Sequence, residues 1–140
     1  MMAAALVDAG PLVAAFGANQ PQGERYQALF RKAADEQWSL ATTWPCVVEA
    51  SYLLEPPQRY ALLRWVAAGA INVFPFAQET VDFMVELMRK YTQQPKSEMD
   101  FADASLVLRA SDTHVNRIMT MDTRDFSRYR LADGRGFEIL

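Results

Sequence analysis

The sequence predicts an α/β fold in which a parallel β-sheet is covered by helices on both faces. The main observation is that short apolar segments alternate with longer segments whose apolar residues recur at helical spacing. The second observation is size, because 140 residues, of which 51% are hydrophobic, can bury one ordinary core. No repeat or low-complexity tract divides the chain, and we expect a single domain spanning residues 1–140.

The strand candidates are short apolar runs bounded by polar residues, glycine or proline. In chain order they are residues 3–7, 38–43, 71–76, 118–121 and 137–140. The last run closes the chain, and the sheet is expected to have four to five strands. Strands that alternate with helices pair in parallel, because the connecting helix returns the chain to the starting edge of the sheet.

The helix candidates fill the segments between these strands. In chain order they are residues 11–16, 24–36, 45–55, 58–69, 78–92 and 99–112. Pro11 and Pro45 suit the first turns of their helices. The Pro56–Pro57 pair ends the third helix, and Gly69 suits the C-cap of the fourth. The segment 92–98 is expected to be a polar loop. The residues expected to face the core on the third helix are Val47, Val48, Tyr52 and Leu53.

Charge and cysteine content narrow the function classes. A net charge of -3 gives no sign of a membrane surface or a nucleic-acid patch, although a bound metal can still allow nucleic-acid binding. Cys46 is the single cysteine, so no disulfide forms within the chain and a reducing compartment is favoured. The apolar N-terminus lacks the basic region of a signal peptide and is interrupted by Asp8. We therefore expect a cytoplasmic protein.

Acidic residues follow or face the predicted carboxyl edge of the sheet in four separate segments. Asp8 follows the first strand and Asp122 follows the fourth, where ligands bind in open parallel sheets. Glu49 lies early in the third helix, and Asp100 and Asp103 share one face in the first turn of the last helix. A turn, a helix cap or a solvated charge explains each residue singly. Their convergence on one edge is better explained by a shared site.

Carboxylates gathered in one cleft repel each other unless a divalent cation neutralises them. Mg²⁺ and Mn²⁺ prefer oxygen ligands and suit phosphoryl chemistry. Zinc is poorly supported, because the chain has one histidine, His114, which is expected to be a surface or outer-shell residue. The chain also lacks a glycine-rich phosphate loop and a nucleophile paired with histidine.

Four segments together resemble the PIN-domain family, and in particular the VapC-type toxins of bacterial toxin–antitoxin pairs. The segments are LVDAGPLVAAF, TTWPCVVEASYLL, MDFADASLVLRAS and IMTMDTRDFSRYR. The resemblance runs from the first strand to the last. It implies a three-layer α/β/α fold around a parallel sheet, and the activity of a Mg²⁺- or Mn²⁺-dependent endoribonuclease.

The resemblance also implies roles for individual residues. The implied metal-binding and catalytic residues are Asp8, Glu49, Asp103 and Asp122. Asp100 matches an acidic position one turn before the third carboxylate, and Thr120 matches a frequent threonine or serine before the last one. Both are expected to be auxiliary, as is Asp125, which can cap the turn after Asp122. Family members commonly form homodimers and are held inactive by a cognate antitoxin whose C-terminal segment lies over the site.

The metal would activate a water for in-line attack on the phosphodiester. We expect RNA also to need positively charged side chains that contact its phosphates. Arginines cluster late in the chain, and Arg124 and Arg128 are the preferred phosphate contacts. The whole set, expected near the carboxyl edge, is Arg117, Arg124, Arg128, Arg130 and Arg135. An apolar groove formed by the helices around 24–36 and 44–68 could receive an antitoxin segment, provided that their aromatic residues are exposed.

Three other functions compete with the ribonuclease hypothesis. A phosphatase of the haloacid-dehalogenase type needs a second carboxylate two residues after the first, where Gly10 stands. A receiver domain needs aspartate at the end of its third strand, which here ends in Pro75 and Phe76. A catalytically silent PIN-like module would bind RNA or a protein partner without cleavage. Metal-dependent cleavage by the purified protein separates this alternative from the enzyme.

Overall fold

The computed structural model describes residues 3–92 and 97–140. The strands are β1 (Ala4–Val7), β2 (Ser39–Thr43), β3 (Asn72–Phe74), β4 (Arg117–Met119) and β5 (Glu138–Ile139). The helices are α1 (Ala9–Phe16), α2 (Gly23–Asp35), α3 (Trp44–Leu53), α4 (Gln58–Ala67), α5 (Val81–Tyr91), α6 (Phe101–Thr113) and α7 (Thr123–Phe126). A 3-10 turn at Gln78–Thr80 precedes α5.

The strands form one parallel sheet in the order β3-β2-β1-β4-β5. In the central strand, Leu6 lies in register with Ala41 of β2 and with Ile118 of β4. All five strands run in the same direction, so their carboxyl ends meet at one edge of the sheet. This arrangement confirms the predicted parallel sheet of four to five strands.

Helices cover both faces of the sheet, which confirms the predicted three layers. The chain steps outward from β1 to β2 to β3 and then crosses back to β4. Right-handed connections therefore place α5 and α6 on the face opposite α1 to α4. On the first face, Trp65 packs edge-on against Phe16 and Phe30, with ring centroids 5.3 and 5.5 Å away. This contact joins α4 to α1 and α2.

The predicted strands and helices agree with the structure except at their ends, and the short helix α7 was not predicted. The third strand stops at Phe74, because Pro75 has no N–H for the ladder. Gly69 follows α4 with φ of 85°, which is the left-handed conformation expected of a glycine that terminates a helix. Part of the predicted polar loop, residues 93–96, lies outside the described residues. Among the residues described, none of the helices has the length and hydropathy of a membrane-spanning segment.

The prediction of the buried face of α3 is wrong for three of its four residues. Val47 is buried, whereas Val48, Tyr52 and Leu53 are 64%, 81% and 58% exposed. The helix buries Cys46, Val47 and Ala50 against its neighbours, and Val48, Tyr52 and Leu53 stay exposed to solvent. An apolar sequence therefore does not mark a buried face here.

Candidate metal centre

A cleft of about 470 Å³ opens at the carboxyl ends of β1 and β4. Its acidic lining residues are Asp8, Glu49, Glu98, Asp100, Asp103 and Asp122. The four carboxylates predicted as ligands and the predicted auxiliary Asp100 thus all line one cleft, but of the four only Asp103 and Asp122 belong to a closer group of oxygens among the described residues. Their binding of a metal stays a prediction. Glu98 was missed by the sequence analysis, because it lies in a segment interpreted only as a polar loop.

Asp8 is buried at the junction of β1 and α1, where it caps the helix. Its Oδ1 accepts a hydrogen bond from the backbone N–H of Ala9 at 2.8 Å. Its Oδ2 accepts one from the Thr120 hydroxyl at 2.7 Å. The same hydroxyl accepts the backbone N–H of Asp122 at 3.0 Å. Thr120, the predicted auxiliary residue, therefore links the acidic residues that follow the adjacent strands β1 and β4.

We expect Thr120→Val to lower the free energy of unfolding by about 1–3 kcal/mol, because it leaves a buried carboxylate oxygen and a backbone N–H without their shared partner. Urea denaturation in metal-free buffer measures the change. Thr120→Ser keeps the hydroxyl and serves as the control, with a smaller loss expected. Equal stability of the valine variant and the wild-type protein would contradict the linking role.

The first turn of α6 presents two carboxylates with different surroundings. Asp100 caps the helix, and its Oδ1 accepts the backbone N–H of Asp103 at 2.8 Å. Asp103 is only 8% exposed, and its Oδ2 accepts a hydrogen bond from the Tyr129 hydroxyl at 2.9 Å. Tyr129 is the second residue that the sequence analysis missed. The partners lie 26 residues apart, and no local pattern signals their contact.

Carboxylate oxygens of Asp103, Asp122 and Asp125 lie within 4.8 Å of one another. Asp122 caps α7, and its Oδ1 accepts the backbone N–H of Asp125 at 3.2 Å. Asp125 also pairs with Arg128, whose Nη2 lies 2.9 Å from Oδ1. Asp125, predicted as auxiliary, therefore stands with two predicted ligands. Oxygens at this separation can share one cation.

Burial and mutual repulsion raise the pKa values of these carboxylic acids. Burial is the larger cause for Asp103, and the charges of Asp100 and Asp8 add to it, raising its pKa to about 8. Burial also raises the pKa of Asp8 against its two hydrogen bonds. The pKa values of Glu49 and Asp122 are raised in the same direction, again chiefly by burial. The cleft is thus unfavourable for several negative charges unless a cation is present.

The donor set fits a hard divalent cation. Its candidate ligands are carboxylate oxygens, which Mg²⁺ and Mn²⁺ prefer. His114 lies away from the cleft, is exposed, and contacts Asp133 at 3.4 Å, as expected of a surface histidine. The Cys46 thiol lies 4.0 Å from Asp8 Oδ1, but burial raises its pKa and leaves it a poor ligand.

The late arginines do not form one cluster at the carboxyl edge. Arg117 begins β4 and pairs with Glu138, so it lies at the opposite edge from Asp122. Arg135 is also at that opposite edge, where it donates to the carbonyl of His114. The expected location is therefore wrong for Arg117 and Arg135. Residues that precede a strand and residues that follow it lie at opposite edges of the sheet.

The two arginines preferred as phosphate contacts differ in whether their side chains already have partners within the protein. Arg124 is exposed and forms no ion pair with any described residue. Arg128 is held by Asp125 and by the carbonyl of Tyr91, 3.4 Å away. Contact of either side chain with RNA stays a prediction, and Arg124 is the more available of the two.

An apolar groove of about 760 Å³ adjoins the acidic cleft. Its apolar lining residues are Trp44, Pro45, Val48, Tyr52, Phe76, Phe101 and Ala102. Glu49 and Asp100 line both cavities, so the groove leads directly into the cleft. The groove lies between α3 and the start of α6 and does not involve residues 24–36. The expected position is thus wrong on that side, because Phe30 of α2 packs inward against Trp65.

Two solved structures of other proteins have the same architecture. VapC20 of Mycobacterium tuberculosis, a sarcin-ricin loop cleaving toxin, matches with a TM-score of 0.69 and 14% identity, covering 86% of this chain and 92% of that chain. FitAcB of Neisseria gonorrhoeae matches with a TM-score of 0.57 and 21% identity, covering 96% of both chains. No family model and no curated protein matches the sequence. The structural matches confirm the predicted PIN-like α/β fold over most of the chain.

Proposed function

We propose that this protein, which shares its PIN-like fold with VapC20 and FitAcB, is a Mg²⁺- or Mn²⁺-dependent endoribonuclease and the toxin of a type II toxin–antitoxin pair. The observation that supports the proposal is the cleft, which is lined by predicted ligands from four segments of the chain. Mutually repelling carboxylates, of which Asp8 and Asp103 are buried, have a physical reason to persist together if they bind a cation. The likeness to a toxin that cleaves the sarcin-ricin loop favours RNA as the substrate.

In this proposal, the carboxylates of Asp8, Glu49, Asp103 and Asp122 hold the cation, and Asp100, Asp125 and Thr120 support them. A bound Mg²⁺ would polarise the phosphate oxygens and lower the pKa of a water for in-line attack. Arg124, exposed two residues beyond Asp122, is suited to hold a phosphate of the substrate. The carboxylates that do not bind the cation repel RNA, so binding should depend on the metal.

Incubation of the purified protein with total RNA tests the activity. We expect new RNA ends in Mg²⁺ or Mn²⁺ and none in EDTA, with the ends located by sequencing. The Asp8→Asn protein, purified identically, controls for contaminating nucleases. Metal-independent cleavage, or equal cleavage by both proteins, would contradict the proposed enzyme. If no RNA is cut under any metal condition, the catalytically silent PIN-like module becomes the better interpretation.

We also propose that a cognate antitoxin covers the apolar groove and the adjoining cleft. Trp44 is 49% exposed and Tyr52 is 81% exposed, so the aromatic residues on α3 meet the condition set for a docking surface. A segment with apolar side chains would bury this surface, and its continuation would reach the carboxylates. Homodimer formation, which the resemblance also implies, stays a prediction.

A further inference from the structure

Asp103 has a hydrogen-bond partner, Tyr129, that is not among the predicted site residues. The Tyr129 hydroxyl donates to Asp103 Oδ2 at 2.9 Å, and Asp103 Oδ1 has no hydrogen-bond partner among the described residues. We propose that Tyr129 is a positioning residue that fixes the Asp103 carboxylate and leaves Oδ1 available to the cation. The inference rests on the proposed function, since it concerns the same metal centre.

The position of the Tyr129 hydroxyl is set by the packing of its ring. Tyr129 is fully buried, and its ring packs edge-on against Phe126 and Tyr91 at centroid distances of 4.9 and 5.1 Å. The Tyr91 hydroxyl accepts the backbone N–H of Arg130 at 3.1 Å and forms no hydrogen bond to Asp103 or Tyr129. Because the ring is confined by this packing, the Tyr129 hydroxyl group is held in one position, next to Asp103.

Tyr129 lies in the same chain segment as two of the acidic residues next to Asp103. Asp122 and Asp125, whose oxygens lie within 4.8 Å of those of Asp103, belong to the same short segment as Tyr129. One continuous stretch therefore supplies two acidic neighbours of Asp103 and the donor that orients it. The terminal torsion of aspartate is broad, so a carboxylate without a fixed donor can rotate away from the cation.

Mn²⁺ binding to the Tyr129→Phe protein tests the inference without relying on cleavage. Calorimetry or electron paramagnetic resonance should show about 10- to 100-fold weaker binding than in the wild-type protein, which is the usual effect of losing an outer-shell partner. Tyr91→Phe is the matched control. It removes a buried hydroxyl from the same aromatic cluster but leaves Asp103 untouched, so Mn²⁺ affinity should stay close to that of the wild-type protein. Mn²⁺ affinity equally weakened in both variants would show a purely structural role.

Restoring a donor completes the test. Replacing Tyr129 by 4-aminophenylalanine keeps the ring and a weaker N–H donor, so Mn²⁺ affinity should lie between those of the tyrosine and phenylalanine proteins. If Tyr129→Phe does not fold, the 4-aminophenylalanine protein decides alone, and a folded protein whose Mn²⁺ affinity has fallen by about 100-fold despite the retained donor would overturn the inference. Equal Mn²⁺ affinity of wild-type and Tyr129→Phe proteins would overturn the positioning role and leave the ribonuclease proposal standing. Failure of the wild-type protein to bind Mn²⁺ would overturn both.

Discussion

Replacing Asp8 by asparagine should reduce the proposed Mg²⁺-dependent RNA cleavage by about 10²- to 10³-fold, because losing one carboxylate of the proposed metal site removes several kcal/mol of transition-state stabilisation. The substitution conserves volume and can keep the bond from the Ala9 N–H. The amide N–H of asparagine can also donate to Thr120 Oγ1, reversing the present hydrogen bond. We therefore expect a folded protein that has lost the charge but not the shape of the site.

Initial cleavage rates at saturating Mg²⁺, with circular dichroism as a check on folding, measure this effect. Asp35→Asn is the matched control, because Asp35 is exposed at the end of α2 and the substitution makes the same change in charge. The control should cleave at the wild-type rate. Wild-type activity in a folded Asp8→Asn protein would show that Asp8 is not part of the catalytic site.

In metal-free buffer, the protein should lose stability as the pH rises from about 4 to about 8. The pKa of Asp103 is raised from 3.8 to about 8, so the folded protein binds a proton over a range in which the unfolded chain has released it. Raising the pH through this window therefore favours unfolding. At about 1.4 kcal/mol per pKa unit, the loss is of the order of a few kcal/mol, and Asp8, with its raised pKa, acts in the same direction.

The Asp103→Asn protein should show a flatter pH profile of stability. It should be neutral or stabilised near pH 8 without metal, because one buried negative charge is gone while an oxygen remains to accept the Tyr129 hydrogen bond. Urea denaturation of both proteins between pH 4 and pH 8 measures the difference. A large loss of stability in the variant across this range would instead indicate that the carboxylate has a structural role.

Adding the cation should reverse the loss at high pH in the wild-type protein. Mg²⁺ or Mn²⁺ at about 100 times its Kd adds about 2.7 kcal/mol, which corresponds to a rise in melting temperature of roughly 5–10 °C. The rise should be greatest near pH 8, where the carboxylates bind the cation with least competition from protons. The Asp103→Asn protein should show a smaller rise. Equal rises in both proteins would exclude Asp103 as a ligand.

Several features of the fold follow from local sequence. Short apolar runs that alternate with helical patterns are sufficient to predict a parallel sheet, and the structure confirms each predicted strand. Asp8 follows β1 directly and Asp122 comes three residues after the end of β4, so a parallel sheet carries both to the same edge whatever the details of packing. The placement of Asp100 and Asp103 on one side of the first turn of α6 is local as well, because helix geometry fixes it.

Other features were decided only when distant segments came together. The contact between Tyr129 and Asp103 spans 26 residues, and the exposed face of α3 depends on which neighbours the sheet order provides. The location of Arg117 at the opposite edge depends on where β4 begins, which the sequence interpretation did not take into account. Sequence periodicity determines which residues share one side of an element. Whether that side meets the core, the cleft or solvent depends on packing between elements, which only the tertiary structure sets.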